Sequence, residues 1–366
     1  MRFQQWVWVL LLGIAIPLFS ETQYAENFEI EEFPTYKILH IKNPWRGSGD
    51  TSYTYALVPK AETLPEFPNH IRVIRTPVER IITMATVYLG PIQSLEMHHK
   101  LVGGAHLDLS NDPAIHELVK AGKIKPLQGG SAVDIESILL LQPDLILTFS
   151  TGESLYDTHP RLERANLPVV LTAGYMESDP LARSEWIKVV AAFVEKNDAA
   201  ESLFSEIAGR YEALRKLTDT VKDKPEVFAN APFAGVWHLP GGKSYNAKRF
   251  NDAGANYLWA DNDSPGGVPL DFEVILVKAA NADIWINPGS HENLDSLLGL
   301  DERLTGFRAF REGMVFNSTK RVNPNGGNDI WERGINHPDE VLADLIKIFH
   351  PELLPDHEFI YYEKLK

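Results

Sequence analysis

The sequence predicts an α/β protein of two lobes, each built around a central sheet, with a long helical connector and a ligand cleft between them. Three observations carry that expectation. First, a pattern occurs twice: residues 134–148 read DIESILLLQPDLILT and residues 271–287 read DFEVILVKAANADIWIN. Each copy opens Asp-apolar-Glu, at Asp134/Glu136 and Asp271/Glu273. Each then runs through an amphipathic stretch to a second acid, Asp144 or Asp283, and into a short apolar run. That is a helix feeding a buried strand, once per half. The copies lie much further apart than a solenoid period of roughly 20–50 residues, so they read as two lobes rather than an array. Second, residues 180–221 contain only Gly209 as a glycine and no proline after Pro180, and their apolar residues fall at helical spacing. Third, 366 residues with 44% apolar and 23% charged side chains suit a globular chain of about two domains.

Taken in order, the chain opens MRFQQWVWVLLLGIAIPLFSETQ. One cation, Arg2, precedes an apolar run to Phe19, and polar residues follow. This is the layout of a secretory signal, short for a membrane span, with cleavage expected near residues 20–25; an uncleaved N-terminal anchor is the competing reading. The N-terminal lobe is assigned to 23–178. Strands are expected at 36–41, 53–59 and 72–76, then at 80–84, where the first lobe's sheet begins. A helix from Thr86 to His99, a strand at 100–105, a helix at 115–123, the first repeat copy and a strand at 167–172 complete it. The connector, 179–222, carries a break at Lys196-Asn197-Asp198, with Asn197 expected to cap its second helix. The C-terminal lobe, 223–366, opens with strands at 225–230 and 235–239. A Gly-rich turn then leads to a helix that stops at Gly254. The second repeat copy, a strand at 313–317, a turn at 325–327 and a final helix over 339–350 follow.

Composition excludes several functions. With no cysteine there is no disulfide, thiolate metal site or cysteine nucleophile, and anchoring through a lipidated cysteine is closed. An exported, soluble, disulfide-free chain fits a bacterial periplasm. Net charge is −15, and no basic stripe suggests nucleic acid. No G-x-S-x-G, H-E-x-x-H, P-loop or G-x-G-x-x-G motif is present, which speaks against a secreted hydrolase, the alternative from another class. The paired acids at 134/136 and 271/273 sit at helix starts, where they complement the dipole and cap backbone N–H groups.

The order RIITM, helix, KLVGGA, DIESILLLQPDLILTFS, helical connector and second lobe resembles the helical-backbone class of periplasmic substrate-binding proteins of ABC importers, over about residues 70–350. PLARSEWIKVVAAF, GGKSYNAKRFNDAGANYLWADN and GGNDIWERG followed by HPELLP are similar to its iron-complex subgroup. The resemblance implies two Rossmann-like lobes and capture of an iron complex, a ferric siderophore first, for delivery to an ABC permease in the inner membrane. Cobalamin or haem is the alternative within the class. It also implies a monomer, no resident cofactor and no nucleic-acid partner. Relatives dock through an acidic residue on the first helix of each lobe. Here that first-lobe position falls on Gly90, which leaves Glu96 and, in the second lobe, Asp252.

Ligands in open α/β lobes sit beyond the carboxyl ends of the strands. Strand ends therefore nominate Thr86, Tyr88, His106 and Ser150 in the first lobe. In the second they nominate Trp237 and the loop to Tyr245; Asn328 and Trp331 follow the late Gly-Gly turn, Trp259 lies past the end of a helix, and Arg333 joins them as a possible carboxylate binder. The set is rich in aromatics and amides, suiting a large, partly apolar ligand, and poor in the converging carboxylates that a bare ion needs. His98 and His99 are adjacent on a helix and do not chelate one ion together. Trp237 is expected to be the principal anchor. Tyr88 or His106 would supply an axial ligand to haem. Arg333 is a candidate for a carboxylate-bearing ligand, and Arg249 is read as lying on a solvated helix face.

Overall fold

The computed structural model describes residues 18–20, 22–153 and 155–366. The signal region therefore lies almost entirely outside the described residues, and among these no helix is long and apolar enough to cross a membrane.

The chain first builds a sheet of its own: β1 (Leu18–Ser20), β2 (Phe28–Glu32), β3 (Lys37–Lys42), β4 (Ser52–Pro59) and β5 (Ile71–Thr76), in that order. Its strands are antiparallel except for the parallel β4–β5 pair. Alternation along the strands splits its apolar residues between two faces. Leu39, Ile41, Tyr55, Leu57 and Ile74 join the main core, while Ile38, Ala56 and Val58 pack with Phe33, Tyr36 and Phe67 in a small outer cluster. Two buried carboxylates dock this sheet on the connector. Glu185 accepts the N–H groups of Gln23, Tyr24 and Ala25 at 2.8–2.9 Å. Glu177 accepts those of Glu26 and Asn27 and the Trp186 indole. The segment read as one lobe, 23–178, thus contains two sheets.

The first lobe's sheet is parallel: β6 (Ile81–Thr83), β7 (Leu101–Ala105), β8 (Lys125–Leu127), β9 (Leu145–Thr148) and β10 (Val169–Leu171), in the order β10-β9-β6-β7-β8. The second lobe holds β11 (Glu226–Ala229), β12 (Pro232–Phe233), β13 (Val236–Pro240), β14 (Asn256–Tyr257), β15 (Gly267–Leu270), β16 (Ile284–Ile286), β17 (Val315–Asn317) and β18 (Glu363–Lys364). Its main sheet runs β14-β11-β16-β17-β18, with β18 antiparallel, and β12-β13-β15 form a small antiparallel sheet beside it.

The repeated sequence pattern is a repeated structural device. Ile135–Leu140 feeds β9, and Phe272–Ala279 feeds β16. The second acid of each copy ties its strand to the neighbouring first strand. Asp144 Oδ2 accepts the N–H groups of Glu79 and Arg80, and Asp283 Oδ2 accepts that of Glu226. Asp134 caps its helix through Ser137, whereas Asp271 makes no side-chain cap bond.

The connector is three helices, Pro180–Glu185, Ile187–Val194 and Asn197–Thr218. Every residue of the middle one is buried. The break falls at Glu195, in a left-handed conformation, so Asn197 is the first helical residue and Lys196 occupies the cap. The final helix, Pro338–Phe349, packs along Asn197–Thr218 and completes this backbone. The expected helix at 86–99 is broken into Leu89–Ser94 flanked by short 3-10 turns.

Candidate functional site

Strand order reverses between β6 and β9 in the first lobe and between β11 and β16 in the second, and crevices open beyond such points. The loops there carry Thr86, Phe149 and Ser150 on one side and Asn230 and Asn287 on the other. A loop of the second lobe closes one flank. Asn323 donates to the carbonyls of Asp108 and Ser110, Asn325 donates to that of Asp108, and Gly327 lies so close to Leu109 that a Cβ would come 1.8 Å from its carbonyl oxygen. Glu332 accepts from Ser110 Oγ and Asn111 N, and burial raises its pKa.

At the junction of both lobes and the connector, Tyr245 is held between two arginines. The guanidinium of Arg183 lies 3.5 Å from its ring centroid and that of Arg249 4.7 Å. Local sequence builds this stack. Ser244 caps the helix Tyr245–Asp252, placing Tyr245 at its first position and Arg249 one turn on. Arg183 projects from the first connector helix and donates to the carbonyls of Glu177 and Tyr175. Neither arginine has a carboxylate partner among the described residues; Arg249 bonds only the Asn246 amide. Burial, and further the like charge of Arg249, depress the pKa of Arg183. The Tyr245 hydroxyl and Arg249 Nε are buried and lack a protein partner. Buried polar atoms are nearly always paired, so a phenol oxygen and a guanidinium Nε left without a partner in one place set this junction apart from the surrounding core.

Exposed aromatics stand beside it on the first lobe. Phe149 is 38% and Tyr175 40% exposed, their rings 6.1 Å apart, and the Tyr175 hydroxyl donates to the Ser150 carbonyl. Two exposed aromatic rings thus stand near the arginine stack, linked to it by the bond from Arg183 to the Tyr175 carbonyl.

Of the residues nominated from sequence, Tyr245 sits at the centre of this stack. Thr86 is half-exposed at the end of β6, and Trp331 is 49% exposed. His106 is exposed in a left-handed conformation and lines a separate recess of about 520 Å³ with Asp108, His116, Gln128 and Asn325. Trp237 is corrected: it is fully buried, donates its indole N–H to the Ala229 carbonyl, and packs among Phe228, Phe272, Trp285 and Phe307. Its position in β13 turns the ring inward, onto the core of the second lobe. Tyr88 is buried with its hydroxyl on Thr172, so it is no haem ligand in this structure. Trp259 is buried beneath Lys278.

Ser150 spends its hydroxyl on Asp157. Asn328 caps a short turn through Ile330 N and donates to Ser318 O. Arg333 is ion-paired with Glu340, which the Tyr361 hydroxyl also binds. Asp252 is buried between Lys248 and the Tyr211 hydroxyl, so it cannot face a permease. Gly90 is buried against Asn336 and leaves no room for an acid, whereas Glu96 is exposed. Arg249, read as solvated, is 3% exposed. Arg183 and Tyr175 were not nominated; a lone arginine in the apolar run PLARSEW was the available signal for the former.

Comparison with known proteins agrees with this architecture. The periplasmic binding protein family model matches residues 81–322, beginning just after the N-terminal sheet. A possible iron-binding periplasmic solute-binding protein of Staphylococcus epidermidis is similar in structure with TM-score 0.59 at 17% identity, covering 75% of this chain and 99% of that one. A periplasmic heme-binding protein of Pseudomonas aeruginosa superposes with TM-score 0.56 at 19% identity, over 75% of this chain and 94% of its own. In sequence, a protein of Methanocaldococcus jannaschii named as an uncharacterized lipoprotein is 23% identical, over 93% of this chain and 84% of its own length. The chain belongs to the periplasmic binding protein family.

Proposed function

We propose that this protein captures an anionic iron complex, a ferric siderophore first, between its lobes and hands it to an ABC importer outside the cytoplasm. The observation that carries the reading is the Arg183–Tyr245–Arg249 stack, two guanidiniums at the lobe junction with no carboxylate partner among the described residues. Siderophore catecholates and carboxylates are planar or forked anions of the kind that guanidinium recognises in pairs. Phe149 and Tyr175 would cover the apolar part of the chelate. No covalent chemistry is required of the site, and binding rather than hydrolysis is its task.

Haem is the second reading, because its propionates would suit the same arginines; cobalamin carries no such anionic edge. The exposed Glu96 is our candidate for docking on the permease. Absorbance of the protein purified from an iron-limited culture tests the proposal. A catecholate or hydroxamate charge-transfer band supports a siderophore, and a Soret band supports haem. Failure of the purified protein to bind ferric catecholate, ferric hydroxamate or haemin would sink the reading.

A further inference from the structure

The matched family region begins at residue 81, so the sheet β1–β5 lies before it. Its loop between β3 and β4, residues 43–51, reads NPWRGSGDT and touches both lobes. On the first lobe Trp45 lies flat on Gly152, where a Cβ would come 2.5 Å from the ring. The same indole stands 6.4 Å from His159 and 6.5 Å from Tyr53. On the second lobe the guanidinium of the next residue, Arg46, lies over Gly266, where a Cβ would come 1.9 Å from Nη1. Two glycines, one per lobe, therefore leave the space that this loop fills.

A chain of contacts links this loop to the arginine stack. Gly266 O accepts from Gly241 N, and Ser244 N bonds Gly241 O just before Tyr245. Tyr245 stacks on Arg183, and Arg183 donates to the Tyr175 carbonyl. Burial and then the charge of Asp157 raise the Tyr175 pKa, and the charge of Arg46, close enough to be felt there, opposes that rise. Arg46 is exposed and makes no ion pair with a carboxylate among the described residues. The loop cannot drift, because the sheet behind it is tied to the connector by Glu185 and Glu177, and Asn43 is bonded to Asn27.

We propose that Arg46 is a ligand-contacting, specificity-determining residue. The loop 43–51 forms a wall of the cleft that both lobes share, and Arg46 takes a second anionic group of the chelate at the rim, in addition to the Arg183–Arg249 pair. This rests on the reading of the cleft as a site for an anionic complex. The side chain is a fork at the end of a long stem, packed on Gly266 but with no carboxylate partner among the described residues, in a loop of the N-terminal sheet that reaches both lobes.

The test is a fluorescence titration of the full chain, as wild type, Arg46→Gln and Arg46→Glu, with two ferric complexes of similar size. One is a trianionic tricatecholate and the other a neutral trihydroxamate. Arg46→Gln should weaken the trianionic complex about tenfold, the scale of one lost charged hydrogen bond, and Arg46→Glu more. Both should leave the neutral complex and the melting temperature unchanged, because the side chain is exposed. The dependence of the trianionic affinity on salt should become shallower. Wild-type binding that Arg46→Gln does not alter, or an equal loss for both complexes, overturns the proposal while leaving the cleft reading intact. Wild type that binds neither complex, nor haemin, overturns both.

Discussion

Replacing Arg249 by Met should separate what the arginine stack does for the fold from what it does for the ligand. The side chain is 3% exposed, and its Nε lacks a partner. Leaving a buried donor unpaired costs about 1–3 kcal/mol, which the substitution removes. Against this, Met forfeits the bond to Asn246, about 1 kcal/mol, and the cation–π contact with Tyr245, about 0.5–1 kcal/mol. The stem's apolar burial is retained by Met. These contributions nearly cancel, so the ligand-free protein should melt within about 2 °C of wild type. Binding has no such compensation. A forked guanidinium–anion pair makes two charge-assisted bonds of about 1.5–3 kcal/mol each, so its loss should weaken an anionic ferric chelate at least about 100-fold. The assay is paired: scanning calorimetry of the ligand-free protein and calorimetric titration with a ferric tricatecholate. A melting temperature lower by 8 °C or more with affinity unchanged would refute the reasoning and make Arg249 a structural residue.

Trp237→Ala should cost about 3–5 kcal/mol of stability, since it empties the centre of the aromatic cluster; denaturant unfolding reads this, and folded variant at low temperature should still bind ligand. Stability should also fall as the medium is acidified below neutral. Burial first, then Arg72 in one case and Arg333 in the other, holds His159 and His337 below their ordinary value of 6.5. In the unfolded chain both take up protons as pH falls through about 6.5, while the folded protein resists. Each therefore removes up to about 1.4 kcal/mol per pH unit from there down to its lowered pKa. The double variant His159→Gln/His337→Gln should show a flatter melting profile between pH 7 and 5. Finally, the three-helix connector and the ties from Asn323, Asn325 and Glu332 across the lobes should restrict closure. X-ray scattering with and without ligand should give nearly equal radii of gyration, and a contraction of several ångströms would contradict this.

What the sequence determined by itself was whatever is written in local pattern. The twin Asp-apolar-Glu copies specified equivalent helix–strand units, because period and capping are properties of neighbours along a chain. The Gly- and Pro-poor block at 180–221 specified the connector for the same reason. The three strands read at 36–41, 53–59 and 72–76 were also legible, but not that they make a sheet of their own whose loop reaches the cleft. Side-chain direction is where local reading ended. Trp237 and Arg249 each looked ordinary from sequence, one a cleft aromatic and the other a solvated cation, and the fold buried both. A strand end offers two faces, and only the packing of β13 against β15 and the aromatic cluster sent the indole inward. A helix offers a full circle, and only the approach of Pro180–Glu185 placed Arg183 over Tyr245 and enclosed Arg249. Burial is a property of neighbours in space, and those three segments lie far apart along the chain.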